Sequence, residues 1–203
     1  MTISIAARNN DGSVRSALDA IVQEYRQRGD VPRLLERLAA FCASAQTAAL
    51  VEAVQPYRDM HEVAGPVYEV VVQREPDNAG ALVGLANAYW LTGRGPEAVG
   101  DLASRALASD PSNRGAWHLW ALSESSPRLR VHRWQQVAAR FPSDELAKAS
   151  LADNAASLAG AENDPVALKL AIATYESLLA TATESSQRSA LENALKTLRN
   201  WSV

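Results

Sequence analysis

The sequence predicts an all-α chain built from antiparallel helix pairs, and three observations carry that prediction. Alanine is abundant, while β-branched runs and strand-like alternation are scarce, a balance that favours helix. Apolar residues recur at helical spacing in segment after segment, and Gly or Pro bounds each segment. The boundaries themselves repeat. Tyr25-x3-Gly29-x2-Pro32 returns as Tyr89-x3-Gly93-x2-Pro96, with Tyr57 midway, 32 residues from each tyrosine. Pro76, Pro111 and Pro142 follow at intervals of 35 and 31. A period of that size in helical pairs is the signature of a two-helix solenoid repeat.

Helical pattern begins near Ser13, and residues 1–12 read as a flexible N-terminal arm. The first helix puts Val14, Leu18, Ile21, Val22 and Tyr25 on one stripe, and Gly29 ends it. Pro32 opens the second, at an early position where a missing N–H is harmless. That helix turns Leu34, Leu35, Leu38 and Phe41 inward. A third covers Gln46 to Met60, where Pro56 is expected to kink or shorten it. A fourth runs from Glu62 to Glu75, with Pro66 in its first turns. Residues 82–113 supply the fifth and sixth. The seventh, from Asn113 to Ser123, carries Trp117 and Trp120, and the eighth, from Pro127, ends at Phe141-Pro142. The ninth spans Asp144 to Leu158, followed by Gly160 and a polar loop. The tenth spans Pro165 to Ala180, and a last helix runs from Glu184 to Trp201. That makes about eleven helices, with connections short enough to force antiparallel neighbours.

Within this series, Leu85-Ala86-x2-Tyr89-x3-Gly93-x3-Glu97-Ala98, then Ala106 and Asp110-Pro111, resembles the tetratricopeptide repeat (TPR). Leu82 stands for the early large residue, and one residue is inserted between Ala98 and Ala106. Weaker copies follow the same order. Ala64 and Tyr68 precede Pro76, Trp117 and Trp120-Ala121 open the next copy, and Leu151-Ala152, Gly160, Ala171, Tyr175 and Leu178 form the last. The resemblance covers most of residues 13–180 and is strong over 80–113. It implies a right-handed TPR-like superhelix over residues 13–183 and a C-terminal capping helix over 184–203. Small residues then mark where helices approach, the tyrosine fills the wedge between hairpins, and the proline ends the second helix. Each hairpin leaves apolar surface for the next to cover, at ~25 cal/mol per Å².

Composition limits the function. The chain has 203 residues, 47% hydrophobic and 21% charged, with net charge -3 and pI near 5.7. Nothing in that balance draws it to nucleic acid or an anionic membrane, so the expected partner is a protein or peptide. The single cysteine, Cys42, excludes an internal disulfide, and its apolar helix face predicts a buried, inert thiol. The N-terminus does not read as a signal peptide. No run of 18 apolar residues occurs. A cytoplasmic setting is therefore expected.

Motifs for chemistry are missing. His61, His118 and His132 lack a second ligand at metal spacing, and the glycines around Gly93 lack the Lys-Ser/Thr of a phosphate loop. No Gly-x-Ser-x-Gly elbow occurs. The expectation is no catalytic residue, no metal and no cofactor. The eighth helix carries Arg128, Arg130, His132, Arg133 and Arg140 without an acid. It reads either as an anion-binding patch or, preferably, as a solvated face with Trp134, Val137, Ala138 and Phe141 turned inward.

By the resemblance, the first helix of each repeat lines a concave groove. The matching positions are Val83, Asn87 and Trp90 in the best repeat, Gln55 and Arg58 in the one before, and His118 in the one after. Asn87 falls where the family's amide often holds a ligand backbone. Val51 and Val83 occupy the Lys/Arg positions of chaperone-binding members, which argues against a carboxylate clamp and for a more apolar groove. The expected function is a non-catalytic interaction scaffold: an adaptor, assembly factor or small chaperone. The alternative is a permanent accessory subunit that uses its convex face or termini.

Overall fold

The computed structural model describes the backbone of residues 3–201 and the side chains from Ser13 to Trp201. Among the described residues there are eleven α-helices and no strand. Helix α1 is Ile3–Arg28 and α2 is Val31–Ser44. Helix α3, Thr47–Val54, passes into a 3-10 turn over Gln55–Tyr57. Helices α4 (His61–Arg74), α5 (Ala79–Leu91), α6 (Pro96–Ser109) and α7 (Arg114–Leu122) follow. Helices α8 (Pro127–Arg140), α9 (Glu145–Glu162), α10 (Pro165–Thr181) and α11 (Ser185–Arg199) complete the order.

Local chemistry sets these limits. Asp30, Asn78, Asp144 and Asp164 each cap a helix, accepting an amide of the first turn at 2.9–3.1 Å, and so satisfy donors the helix leaves orphaned. Gly29, Gly93 and Gly95 take the positive φ that their turns require. Pro56 lacks an N–H and closes α3 early, as expected, whereas Pro66 is held inside α4.

Three boundaries or orientations differ from the sequence reading. The backbone is helical from Ile3, so residues 3–12 of the expected arm extend α1; residues 1 and 2 lie outside the described residues, as do 202 and 203 of the expected cap. Leu35 does not face inward: it is 47% exposed beside Val31. It stands about 100° round the helix from the buried Leu34. Helix α9 does not stop before Gly160 but runs through it to Glu162, and Asn163 ends it at φ 50. Gly160 instead lies under the Trp201 ring, which a Cβ there would meet at 3.3 Å.

The helices form two compact units, Met1–Leu119 and Trp120–Val203, divided within α7. In the first unit, α1 packs on α2 and α3, α4 on α2, α3 and α5, and α5 on α6. Its core holds Leu18, Leu38, Leu50, Val67, Leu82 and Val99. In the second, α9 packs between α8 and α10, and α10 on α11, around Val137, Leu151, Leu158, Leu178 and Leu195. The pairs α1/α2, α3/α4, α5/α6 and α9/α10 each pack as chain neighbours, the hairpin arrangement that the repeat predicts.

Arginines finish the helix ends. Arg74 of α4 donates to the Cys42 carbonyl at 2.7 Å and the Ala45 carbonyl at 2.8 Å, closing the end of α2. Arg105 of α6 donates to the Pro76 carbonyl, just past α4, at 2.8 Å. Arg188 of α11 reaches the Leu179 and Ala182 carbonyls at the end of α10 at 3.2 and 3.1 Å. These carbonyls have no intrahelical donor. Burial pushes the Cys42 thiol beneath Arg74 up to about 11, which leaves it protonated and unreactive.

Candidate protein-interaction face

The six groove candidates all lie in the first unit. Val83, Asn87 and Trp90 stand at i, i+4 and i+7 on α5, so one face of that helix presents them together. Trp90 is 40% exposed and Leu91 beside it 53%, so two adjacent large apolar groups are open to solvent. Asn87 is half-buried, and its amide has no hydrogen-bond partner among the described residues.

Neighbouring helices join this face through close contacts. Gln55, at the end of α3, donates to the Tyr68 hydroxyl at 3.5 Å and to the Val51 carbonyl at 3.2 Å. The Tyr68 ring lies against Gly84 of α5, so tightly that a Cβ there would stand 2.4 Å from it. Tyr68 thus spans the wedge between α3 and α5. Burial pushes its hydroxyl up in pKa, opposed by the Gln55 hydrogen bond and the nearby Arg58 charge. That places Arg58 close to the same junction, where it is well exposed beside Asp59 at 3.9 Å. On the other side, a Cβ on Gly115 of α7 would lie 3.1 Å from Val83. His118, one turn beyond Gly115, is half-buried. Val83, Asn87 and Trp90 thus share one face of α5, while Gln55 reaches α5 only through the Tyr68 ring against Gly84.

Sequence reasoning overlooked two positions in the same register. Gln23 and Arg26 of α1 precede Gln55 and Arg58 by 32 residues, which in turn precede Asn87 and Trp90 by 32. The tyrosine period that located the repeat was the available signal. Gly84 was also missed, because a lone glycine in a helix reads as neutral until its neighbour is known.

The basic candidates fall in the second unit and are largely engaged there. Arg128 donates to Asp164 at 2.9 Å and to Glu162. The Ala167 amide and the Arg128 guanidinium hold the Asp164 carboxyl below its ordinary range. Arg133 meets Glu124 at 2.7 Å, donates to the Trp120 carbonyl at 2.6 Å and stacks over the Trp120 ring. Arg130 binds Asn154 at 2.7 Å and the Glu124 carbonyl at 3.0 Å, and His132 lies 3.2 Å from Gln136. Arg140 is exposed on the last turn of α8. Trp134 and Val137 are buried. The carboxylates that sequence did not show beside this helix come from its own leading loop and from the end of α9.

A cleft of about 600 Å³ lies between α10 and α11, lined by Glu176, Leu179, Arg188, Glu192 and Lys196 among others. None of the sequence-predicted residues lines it. Among the described residues, no cluster of three or more His, Cys, Asp or Glu is arranged to hold a metal, and no helix is long and apolar enough to cross a membrane.

Solved structures share this architecture. The chain is similar to MamA (16% identical, TM-score 0.58, covering 85% of this chain and 98% of that one). It is similar to TTC0263, a TPR protein of Thermus thermophilus (17%, TM-score 0.57, 90% and 98%). It is also similar to PilF of Pseudomonas aeruginosa (14%, TM-score 0.58, 94% and 86%). At these identities the likeness is one of fold, and the fold is that of a TPR-like helical-repeat protein. No family model and no curated protein matches the sequence.

Proposed function

We propose that this chain is a non-catalytic protein-interaction scaffold, an adaptor, assembly factor or small chaperone of the cytoplasm. It binds a partner segment along the first-helix face of the first unit. Trp90 is the apolar anchor and Asn87 the backbone hydrogen-bonder, with Gln55, Arg58, Val83 and His118 flanking them. One observation carries the reading: a large exposed aromatic and an unpartnered amide share one face of α5. Extended faces of stacked helix pairs are the surfaces that repeat proteins use for partners, and buried aromatics dominate binding energy at such contacts. The test is affinity purification of tagged protein from its native cell, beside the Trp90→Ala/Asn87→Ala double variant. Loss of a stoichiometric partner, at least about tenfold, is expected with helicity intact. A partner retained at full yield overturns the reading.

The fixed-subunit alternative draws on the second unit. Leu129, Leu146 and Val166, in the first turns of α8, α9 and α10, are 53, 64 and 74% exposed. Retention of the partner in the double variant, with loss on Leu146→Asp/Val166→Asp, would move the interface there.

A further inference from the structure

We infer that the cleft between α10 and α11 is the seat of a second copy of this chain. Helix α11 of one protomer lies antiparallel in the cleft of its partner, and the arrangement is reciprocal about a two-fold axis.

The fold shows what such a cleft takes. In the first unit α4, the second helix of its hairpin, packs on α3 of its own pair and on α2, the second helix before it. The hairpin order makes α10 a second helix and α11 the first helix of a further pair. A helix laid along α10 and α11 would therefore stand as α4 stands on α2 and α3. The cleft of about 600 Å³ opens at that place. Its α11 side runs from Arg188 to Asn200, about 18 Å of helix, which is room for three turns of a partner. Ala180 is exposed in it and Leu179 half-buried, beside the buried Leu195, so the floor is apolar and small.

The rim selects the helix. Arg188, Glu192, Lys196 and Asn200 line the cleft one turn apart, placed symmetrically about position 194. An identical helix can lie antiparallel with the two 194 positions opposed. Glu192 then faces the partner's Lys196, Lys196 faces the partner's Glu192, and Arg188 faces the partner's Asn200. Two pairs of opposite charge form, and no like charges stand directly opposite. One patch that complements itself is what a two-fold dimer requires.

The charges that would cross the two-fold axis are free to do so. Glu192 and Lys196 have no partner among the described residues, although a Glu and a Lys at this spacing can pair along one helix. The other charges of the cleft are engaged within the chain. Arg199 holds Glu176 at 2.7 Å, and Arg188 is turned to the carbonyls that end α10. Exposed ion pairs contribute little affinity, so here they set direction and register. With a small apolar floor beneath them the dimer is weak, with a Kd on the order of tens of micromolar.

The experiment is sedimentation velocity of the full chain from about 1 to about 500 µM. The wild-type chain should pass from monomer to dimer within that range. Glu192→Lys sets lysine against lysine at both symmetric contacts and should weaken the dimer about tenfold. Lys196→Glu should do the same with two carboxylates. Both positions are exposed, so helicity by circular dichroism should not change. The two single variants mixed in equal amounts recover both pairs, and Glu192→Lys/Lys196→Glu recovers them in one chain. Each should dimerise about as well as the wild type, which separates lost pairing from lost folding. About 500 mM salt should narrow the differences. A wild-type chain that stays monomeric at the highest concentration overturns the inference. A dimer that neither reversal weakens overturns it too, because another face then joins the copies. A loss that neither the mixture nor the double variant repairs also overturns it, and leaves the cleft to a different protein.

Discussion

The hairpins α5/α6 and α9/α10 use the same residue types for different joints. In α5, Tyr89 donates to Glu69 of α4 at 2.9 Å, and Gly84 receives the Tyr68 ring from that same helix. Both contacts fasten one hairpin to the one before it, and Tyr57 does likewise by donating to Asp19 of α1. In α9/α10 the tyrosine stands on the second helix. Tyr175 donates to Asp153 of α9, inside its own hairpin, and Gly160 faces Trp201 beyond α11. Where the repeat pattern is strong, aromatic residues hold neighbouring hairpins together. Where it is degraded, a tyrosine of the same chemistry holds a single hairpin closed.

The largest expected effect separates the two glycines. Ala at 84 would put a Cβ 2.4 Å from a Tyr68 ring that is 4% exposed, so the ring has little room to yield. We expect Gly84→Ala to cost about 1–3 kcal/mol, despite the ~1 kcal/mol that Ala contributes to a helix interior. At Gly160 the contact would be 3.3 Å to a Trp201 that is 39% exposed and has room to turn. Gly160→Ala should be neutral or stabilise by up to ~1 kcal/mol. Urea unfolding of the two variants reads the contrast, and equal losses would remove it.

A smaller difference is expected between the tyrosines. Tyr89→Phe leaves the half-buried Glu69 without its donor and should cost about 1 kcal/mol. Tyr175→Phe should cost less, because Asp153 is exposed and regains water. A larger loss at Tyr175 in the same unfolding assay would reverse the assignment of joints.

The smallest effect lies in alkaline solution. Burial first, and the neighbouring carboxylate second, raise the hydroxyl pKa of both Tyr89 and Tyr175. Above the ordinary tyrosine value of about 10 the unfolded chain releases these protons first. The folded state then binds more protons, so stability falls as pH rises through that window. Because the Tyr175 shift is the larger, Tyr175→Phe should flatten the alkaline decline of the thermal midpoint more than Tyr89→Phe. Parallel declines would show that these hydroxyls do not set it.

Helix order was legible from periodicity because glycine, proline and capping Asp or Asn punctuate this chain closely. What failed was the reading of a residue whose role depends on a distant partner. Gly160 looked like a terminator because nothing local announces that Trp201 will lie over it. Leu35 looked like core because leucine is apolar, yet α2 buries a stripe that includes Leu34 and Leu38 and leaves Leu35 outside. At the interaction face, Trp90 and Asn87 were reached through the best-preserved repeat. Gln23 and Arg26 lay in the same 32-residue register, but α1 lacks the small-residue motif that draws attention to a repeat. The side-chain partners of Arg128 and Arg130 were illegible because Glu162, Asp164 and Asn154 come from sequence 24–36 positions away.

The arginine caps give the chain a temporal order. Ala45 receives its donor from Arg74, and Pro76 from Arg105, each 29 residues later. During synthesis, the end of one second helix must wait for part of the next hairpin to be translated. At roughly 5–20 residues per second, that is a delay of about 1.5–6 s before those carbonyls find their guanidinium. A ribosome stalled within that interval holds a nascent chain whose newest helix end is still open to water and to quality-control factors.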